Sequence, residues 1–170
     1  MPKPPMIDPA TVDFSHVVYD LEGIRKFNKQ RHEMEQLTAV VHLDREKRFI
    51  IAYKDVTADE FWTRGHVPEK PLMPGVVMCE IAAQAASVLI AHCTPHPPDF
   101  VGFGGLEEVK FRDAVVPGDR FVVVGQIERL RSQLAIMRAQ GFVGTKMVFE
   151  GIIIGVPIDL KGSGGTPAGG

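Results

Sequence analysis

The residues best suited to chemistry lie in one stretch, 61–91, which reads FWTRGHVPEKPLMPGVVMCEIAAQAASVLIA. His66 stands in a loop rich in glycine and proline, and Glu80 follows 14 residues later in an apolar run. An imidazole is the commonest general base near neutral pH. A carboxyl group in apolar surroundings favours its protonated form, which can donate a proton. The pair therefore indicates acid–base chemistry.

Gly75 lies between these two residues, where the apolar helix is predicted to begin. The first amides of a helix have no partner within the helix and carry a partial positive charge. A ligand can approach a glycine N–H closely because glycine has no Cβ. Gly75 therefore offers a site for an oxyanion. The loop before it is predicted to be a stiff, extended arm, because proline recurs at every third position from Pro68 to Pro74.

Glu80, Gln84 and Ser87 form a polar stripe on a helix that is otherwise apolar. Their spacing of four and then three residues places them on one face of the helix. Gln84, one turn beyond Glu80, is placed to hydrogen-bond the carboxyl group and orient it. Gln84 and Ser87 could equally form a polar network at a contact between two subunits, and the spacing leaves both interpretations open.

Each of these features also has an ordinary interpretation. A single histidine in a loop is usually a surface residue, a single helical glutamate usually faces water, and Gly-Pro clusters usually mark turns. The combination nevertheless favours a functional cleft, because this helix is too apolar to be exposed.

One apolar helix and about six strands must position these residues. The helix is predicted at 76–91 and a shorter, exposed helix within 21–35, with strands at 37–43, 48–54, 100–111, 120–130, 134–142 and 146–157. A helix that is apolar almost all round must be enclosed. The sequence therefore predicts an α+β fold in which a curved antiparallel sheet wraps around one long apolar helix. Such a sheet leaves exposed edges, and pairing with the edge of a second copy would cover one of them, so we predict a dimer.

Length and composition indicate one soluble domain. With 170 residues, 45% of them hydrophobic, a single domain is predicted at 21–160. Segment 1–20 is expected to be largely disordered, and 161–170 is expected to be a disordered glycine-rich tail. A formal charge of −2 indicates no binding of nucleic acid or an anionic membrane. The apolar run is shorter than the ~20 residues of a membrane span. Two cysteines without a signal-peptide pattern predict a cytoplasmic protein.

Two cysteine-containing patterns are interpreted without special chemistry. His92, Cys93 and His96 form H-C-x-x-H, but prolines surround the pattern and no fourth ligand stands at a suitable spacing, so we predict a loop and no metal site. Cys79 precedes Glu80 but points about 100° away from it around a helix. It is predicted to be a packing residue.

The segment GHVPEKPLMPGVVMCEIAAQ resembles the signature G-H-F-P-x-x-P-x-M-P-G-V-L-x-x-E-A-x-A-Q of the 3-hydroxyacyl-[acyl-carrier-protein] dehydratases of type II fatty acid synthesis. The intervals agree at nine residues from His66 to Gly75, five more to Glu80 and four more to Gln84. VKFRDAVVPGDRF also resembles the family's K-F-R-x-P-V-x-P-G-D, and YKDVTADEFW resembles K-x-V-T-x-N-E-x-F-F. The resemblance covers roughly residues 24–157 and implies the hot-dog fold.

This resemblance implies an enzyme that dehydrates 3-hydroxyacyl-[acyl-carrier-protein] to the trans-2-enoyl form. His66 would remove the α-proton as general base. Glu80, supported by Gln84, would protonate the departing 3-hydroxyl as general acid. The Gly75 N–H, with Val76 beside it, would bind the thioester oxygen. In this family the two catalytic residues of one site come from different subunits of a homodimer, and a hexamer built as a trimer of dimers is a further assembly to consider.

The resemblance also implies acyl carrier protein as the partner and no metal or redox cofactor. The substrate would be carried on the phosphopantetheine of that protein or of coenzyme A, with its chain in an apolar tunnel. Val67, which replaces the family's phenylalanine, leaves the chain-length preference open. Two alternatives are a hot-dog acyl thioesterase, in which a carboxylate activates water, and a non-catalytic acyl-binding partner subunit. The presence of both His66 and Glu80 favours the dehydratase.

Overall fold

A computed structural model describes residues 4–159 of the chain. Its six strands form one antiparallel sheet in the order β1-β2-β4-β5-β6-β3. The strands are β1 (Ala39–Asp44), β2 (Phe49–Asp55), β3 (Phe100–Phe111), β4 (Arg120–Arg131), β5 (Leu134–Val143) and β6 (Lys146–Ile158). The helices are α1 (Leu21–Ile24) and α2 (Gly75–Cys93), and single 3₁₀ turns lie at Pro9–Thr11 and His32–Met34. The predicted α+β hot-dog architecture is confirmed.

Helix α2 is the centre of the domain. Pro74, which has extended backbone, precedes its first residue, and Thr94 ends it with extended backbone of its own. Buried residues occupy nearly every face of the helix, and Ile81 and Leu89 are fully enclosed. Each such side chain stabilises the fold by roughly 1.5–3 kcal/mol. The helix is long and apolar enough to cross a bilayer, but 72% of its most apolar window is buried inside the domain, as in a core helix.

The two faces of the sheet are both covered. Alternate residues of β4 point to opposite sides, so that Phe121 and Val123 pack in the main core with α2. Val122 and Val124 belong to a second apolar cluster, together with Phe142. The sheet therefore has a concave face against the helix and an outer face that needs another cover.

The N-terminal segment supplies that cover. Met6 and Phe14 pack against the second cluster. The Met6 N–H donates to Gln140 Oε1 at 2.7 Å, and Gln140 Nε2 donates to the Pro4 carbonyl at 3.0 Å. Apolar side chains among residues 4–20 therefore cover apolar strands, in the segment for which the prediction was 1–20 largely disordered. The expected tail at 161–170 lies outside the described residues.

The helix predicted within 21–35 is reduced to α1 and one 3₁₀ turn. Asp20 caps α1 by accepting from the Gly23 N–H at 2.9 Å. The chain beyond α1 instead closes on itself and bonds to α2, where Asn28 Nδ2 donates to the Gln84 carbonyl at 3.2 Å. Arg25 donates to both carboxylate oxygens of Glu35, at 2.5 and 2.8 Å, and these bonds hold the pKa of Glu35 below its ordinary value. The segment is thereby folded back as a loop against α2.

Strand β3 lies at an edge of the sheet, where only β6 pairs with it among residues 4–159. Three of its apolar side chains are unusually exposed: Phe103 (47%), Leu106 (42%) and Phe111 (50%). Edge strands present backbone groups that can pair with another strand. The exposed apolar side chains make β3 a surface suited to contact with a second chain.

Candidate active site

The ring of His66 is oriented by a backbone carbonyl. Its Nδ1 lies 2.8 Å from the carbonyl oxygen of Leu72. A carbonyl oxygen only accepts hydrogen bonds, so Nδ1 carries the proton and donates it. Nε2 is then the unprotonated nitrogen of the neutral ring. His66 is therefore in the tautomer that a general base requires.

Backbone hydrogen bonds fix the loop that carries His66. The His66 N–H donates to the carbonyl of buried Trp62 at 2.8 Å. Residues 61–70 form turns and bends, and only 71–74 run extended into α2. The predicted extended arm is therefore wrong for 66–70, because proline fixes φ but leaves turn conformations open. Val67 has a φ of 57°, a left-handed conformation that costs a β-branched residue about 1–3 kcal/mol.

Gly75 is the first residue of α2, and an aromatic ring packs directly against it. A Cβ at this position would lie 2.7–2.9 Å from ring atoms of Phe111. Contacts that short are excluded for real side chains, so the close approach requires glycine. The first helical amides have no partner within the helix. The Phe111 ring therefore borders the approach to the helix start, and its half exposure leaves it room to turn aside.

His66 and Gly75 line one cavity of about 570 Å³, called the base cavity below. Val76, 74% exposed, and Phe111 also line it. The volume falls in the range of about 300–1,000 Å³ that is typical of ligand sites. The structure therefore brings the predicted base and both predicted oxyanion-site residues, Gly75 and Val76, to one opening.

The carboxyl group of Glu80 is held by two side-chain amides. Gln84 Nε2 donates to Glu80 Oε1 at 2.8 Å, and Gln30 Nε2 donates to the same oxygen at 3.3 Å. Both amides donate to Oε1, and neither donates to the other carboxylate oxygen, Oε2. One oxygen of the acid is thus fixed, and the other is left to face a ligand.

Gln84 joins α2 to the loop that precedes β1. It is 1% exposed. Its Oε1 accepts from the Gln36 N–H at 2.9 Å, and its Nε2 also donates to the Met34 carbonyl at 2.6 Å. Buried polar groups must be paired to avoid a cost of about 1–3 kcal/mol each. Gln84 therefore orients the carboxyl group and fastens the loop with the same amide, while Ser87 only bonds back to the Ala83 carbonyl at 3.2 Å.

Glu80 opens into a second cavity of about 230 Å³, called the acid cavity below. Its walls come from the loop before β1, from α2 and from β3 and β6. Most of the lining residues are apolar or glycine: Met34, Ala83, Ala86, Phe100, Val101, Gly102, Phe103, Ile153, Ile154 and Gly155. A space of this kind is suited to an alkyl chain with one acid at its wall.

The base and acid cavities share no lining residue, so one chain does not bring His66 and Glu80 together. Both cavities nevertheless use β3. The base cavity takes Phe111 at one end of this strand, and the acid cavity takes residues 100–103 at the other. Phe111 lies eight positions beyond Phe103, which corresponds to at most about 27 Å because β3 has two register shifts in between.

Two residues that border the cavities were not anticipated from the sequence. Gln30 bonds to the acid from a segment rich in charge, where no periodic pattern marked it. Phe111 covers the helix start from the strand predicted at 100–111, for which no role in the site was predicted. The sole signal for Phe111 is its place in VKFRDAVVPGDRF, a stretch that resembles the family beside the main signature.

The two cysteine-containing patterns remain outside the site. The ring of His92 is occupied on both sides, because Nε2 lies 2.9 Å from Tyr19 Oη and Nδ1 lies 2.8 Å from the Val88 carbonyl oxygen. Within residues 4–159 no group of three or more His, Cys, Asp or Glu side chains is arranged to hold a metal. Burial raises the pKa of the Cys79 thiol, which suits a packing residue rather than a nucleophile.

Comparison with known proteins decides the family. The chain matches the FabA-like domain over residues 28–152. This chain belongs to the FabA-like family. The 3-hydroxyacyl-[acyl-carrier-protein] dehydratase FabZ of Streptococcus pneumoniae is 33% identical over 134 residues, which cover 79% of this chain and 94% of that protein. The FabZ dehydratase of Clostridium kluyveri is 31% identical over 133 residues, which cover 78% of this chain and 92% of that protein.

Solved structures show that the fold is shared more widely than the sequence. The dehydratase heterocomplex ApeI:P from Xenorhabdus doucetiae superposes with a TM-score of 0.69 at 12% identity, over 81% of this FabA-like chain and 92% of that chain. A hypothetical thioesterase with coenzyme A from Streptococcus pneumoniae superposes at 0.55 with 8% identity, over 69% and 82% of the two chains. Likeness at these identities concerns the fold alone.

The sequence-based recognition of the dehydratase family is confirmed by these relatives, and with it the prediction that this FabA-like chain is a dehydratase enzyme. The roles of individual residues remain predictions. These roles require that the base cavity and the acid cavity form one site.

Proposed function

We propose that this chain converts 3-hydroxyacyl-[acyl-carrier-protein] to trans-2-enoyl-[acyl-carrier-protein] in the synthesis of fatty acids or related lipids. The observation that carries the proposal is that one chain offers a histidine and a carboxyl group at two cavities that both border α2. A histidine whose Nδ1 faces the Leu72 carbonyl oxygen stands beside the start of α2, and an amide-held carboxyl group stands on the second turn of that helix. Dehydration of a 3-hydroxyacyl thioester requires both a base and an acid.

The base cavity suits the first proton transfer. His66 Nε2 removes the α-proton of the thioester, and negative charge then develops on the thioester oxygen. The Gly75 N–H, followed by Val76 at the helix start, stabilises that charge. A well-placed donor of this kind is typically worth about 2.7–4 kcal/mol of barrier.

The acid cavity suits the second proton transfer. Glu80 gives its proton to the 3-hydroxyl oxygen as the C3–O bond breaks, and the electron pair of that bond leaves with the oxygen as water. The pair released from the α C–H bond becomes the C2=C3 bond. Both transfers move only protons, so the reaction requires no metal or redox cofactor. Gln84 keeps the carboxyl group aimed throughout.

A dimer through β3 unites the two cavities. Antiparallel pairing of two copies of this edge strand about a two-fold axis near its middle sets the Phe111 end of one copy beside the Phe100 end of the other. The base cavity of one subunit then meets the acid cavity of its partner. Exposed Phe103 and Leu106 would be covered at the same contact. We therefore propose a homodimer with two shared sites as the functional unit.

The proposed substrate enters as a phosphopantetheine thioester on acyl carrier protein, with its alkyl chain in the apolar acid cavity. Arg112 lines the base cavity, where its guanidinium group is paired with Glu150. The proposed setting is the cytoplasm, where Cys79 and Cys93 remain free thiols as they are in the structure.

A product assay tests this function. The protein is supplied with a 3-hydroxyacyl thioester on acyl carrier protein and, separately, on coenzyme A, and both enoyl absorbance and free thiol are followed. We expect enoyl product without thiol. His66→Ala should lower the rate about 10²- to 10⁴-fold, whereas the matched His96→Ala, on an exposed loop, should not. Thiol without enoyl would indicate a thioesterase, and binding without either product would indicate a non-catalytic subunit; both results contradict the proposal.

A further inference from the structure

The acid cavity follows α2 over two turns. The helix residues that line it are Glu80, Ala83, Ala86 and Ser87, which lie on one side of the helix. Glu80 and Ser87 are seven residues apart, which corresponds to a rise of about 10.5 Å along the helix axis. The cavity therefore has an acid at one end and a length of small side chains beyond it.

Glycine on the neighbouring strands also keeps this space open. Gly102 of β3 and Gly155 of β6 line the cavity together with the two alanines of α2. Larger side chains at these positions would occupy part of its volume of about 230 Å³. The space along the helix therefore suits a slender apolar group, such as an alkyl chain.

Two side chains close the far end of the acid cavity. A Cβ added to Gly155 would lie 2.9 Å from Val101 Cγ1 and 3.1 Å from Ile90 Cδ1, so both side chains pack against the same glycine. Val101 lines the cavity. Ile90 stands three residues beyond Ser87, which is the last residue of α2 within the described chain to line it. The cavity therefore ends at Val101, with buried Ile90 behind it.

This end limits the length of a chain whose reacting part lies at Glu80. In the proposed reaction the carboxyl group meets the hydroxyl on C3 of the substrate. A fully extended chain advances about 1.2 Å per bond, one third of the span of a residue with its three backbone bonds. The rise from Glu80 to Ser87 therefore accommodates about nine bonds beyond C3. An acyl chain of about twelve carbons then reaches Val101.

We propose that Val101 is a specificity-determining residue, which ends the acid cavity and limits the substrate to acyl chains of about twelve carbons. The inference rests on the proposed function and adds the chain length to it. Each methylene group buried in the cavity strengthens binding about 4-fold. A methylene group beyond Val101 adds no such gain, because it must fold back or displace that side chain from its packing against Gly155.

Binding of saturated acyl thioesters tests this limit without requiring turnover. Acyl carrier protein is loaded with chains of about six to about sixteen carbons, lengths on both sides of the expected limit, and each dissociation constant is measured. We expect the constant to fall about 4-fold per added methylene group up to about twelve carbons and to stop falling there. Val101→Ala should move this point about two carbons further, with a gain of about 4-fold or more for the next longer ligand.

Val109→Ala is the matched control. Val109 is a second valine of β3 that packs partly buried against the main core, but it does not line the acid cavity. Its substitution should leave the limit unchanged. Ser87→Leu adds a larger side chain within the cavity and should move the limit in the opposite direction, to shorter chains.

A wild-type protein that keeps gaining affinity up to the longest ligand would overturn the inference, as would coincident profiles of Val101→Ala and Val109→Ala. Circular dichroism checks the fold of each variant. If Val101→Ala does not fold, Ser87→Leu decides, and an unchanged limit in that protein overturns the inference. The saturated ligands are not dehydrated, so failure of the dehydratase reaction is read separately, from the product assay.

Discussion

The base and acid cavities are built by different means. Around His66 the important groups belong to the backbone. The Leu72 carbonyl orients the imidazole ring, and the first amides of α2 lie at the start of the helix, where they have no partner within it. Around Glu80 they come from side chains, because Gln84 and Gln30 supply the amides that hold the carboxyl group. Backbone groups are present whatever the side chain, whereas an amide side chain is lost with one substitution. The two halves of the chemistry should therefore respond differently to mutation.

The cavities also differ in their relation to solvent. Val76 and Phe111 leave the base cavity open at the surface. The acid cavity lies between α2 and the strands β3 and β6, and its walls are mainly apolar. An open cavity suits the thioester end of a substrate that is delivered on a carrier, and an enclosed apolar cavity suits its alkyl chain. Neither alone holds the complete set of groups.

Of the substitutions that compare how the two cavities are built, the larger effect is expected at the base cavity, from Gly75→Ala. The added Cβ meets the Phe111 ring at 2.7–2.9 Å, so the ring or the helix start must shift. The N–H of residue 75 is retained, but the added methyl group crowds the space through which the thioester oxygen must approach it, and the turnover rate should fall by up to about 10²- to 10³-fold, the loss typical of one missing oxyanion donor. Steady-state kinetics measure the change, with circular dichroism as a check of the fold.

Gly65→Ala is the matched control for this substitution, because a Cβ there meets nothing within 4 Å. It adds the same methyl group to the same loop region. Similar losses in both variants would show that the loop, and not the approach to the Gly75 amide, is what the methyl group disturbs.

A smaller effect, mainly on stability, is expected at the acid cavity from Gln84→Leu. The substitution leaves the Gln36 N–H and the Met34 carbonyl without the partners they have in the structure. The free energy of unfolding should fall by about 1–3 kcal/mol for each of these groups that stays buried. Denaturant titration measures it. Ser87→Ala, one turn further along the stripe, should cost less than 1 kcal/mol or so because its hydroxyl only bonds back within the helix; equal losses would contradict the joining role of Gln84.

The sequence predicted the fold well where a periodic pattern extended over a whole element. The apolar run became α2, and all six strands formed within two residues of their expected bounds. Segment 21–35 was predicted less well, because its contacts are made by Arg25, Glu35 and buried amides that bond across the fold rather than along a helix. The N-terminal segment was predicted to be largely disordered because its few apolar residues stand among prolines and polar residues, and their packing against the second cluster depends on the fold.

The candidate site was predictable to the extent that it is continuous in sequence. His66, Gly75, Glu80 and Gln84 lie within one short segment whose spacing carries the family signature. Gln30 reaches the acid from 50 residues away in sequence. Its bond to the acid exists only in the fold, a property that composition and spacing do not contain.

The most direct measurement of the central claim, that two chains share each site, is complementation between inactive variants. His66→Ala and Glu80→Gln are prepared separately, then unfolded and refolded together, and the mixed dimers are isolated by two different tags. Each mixed dimer has one site with both residues intact. We predict that each variant alone is folded and inactive and that a random mixture recovers about a quarter of wild-type activity, since half of its dimers are mixed and each has one of two sites. Purified mixed dimers no more active than the single variants would contradict the shared site.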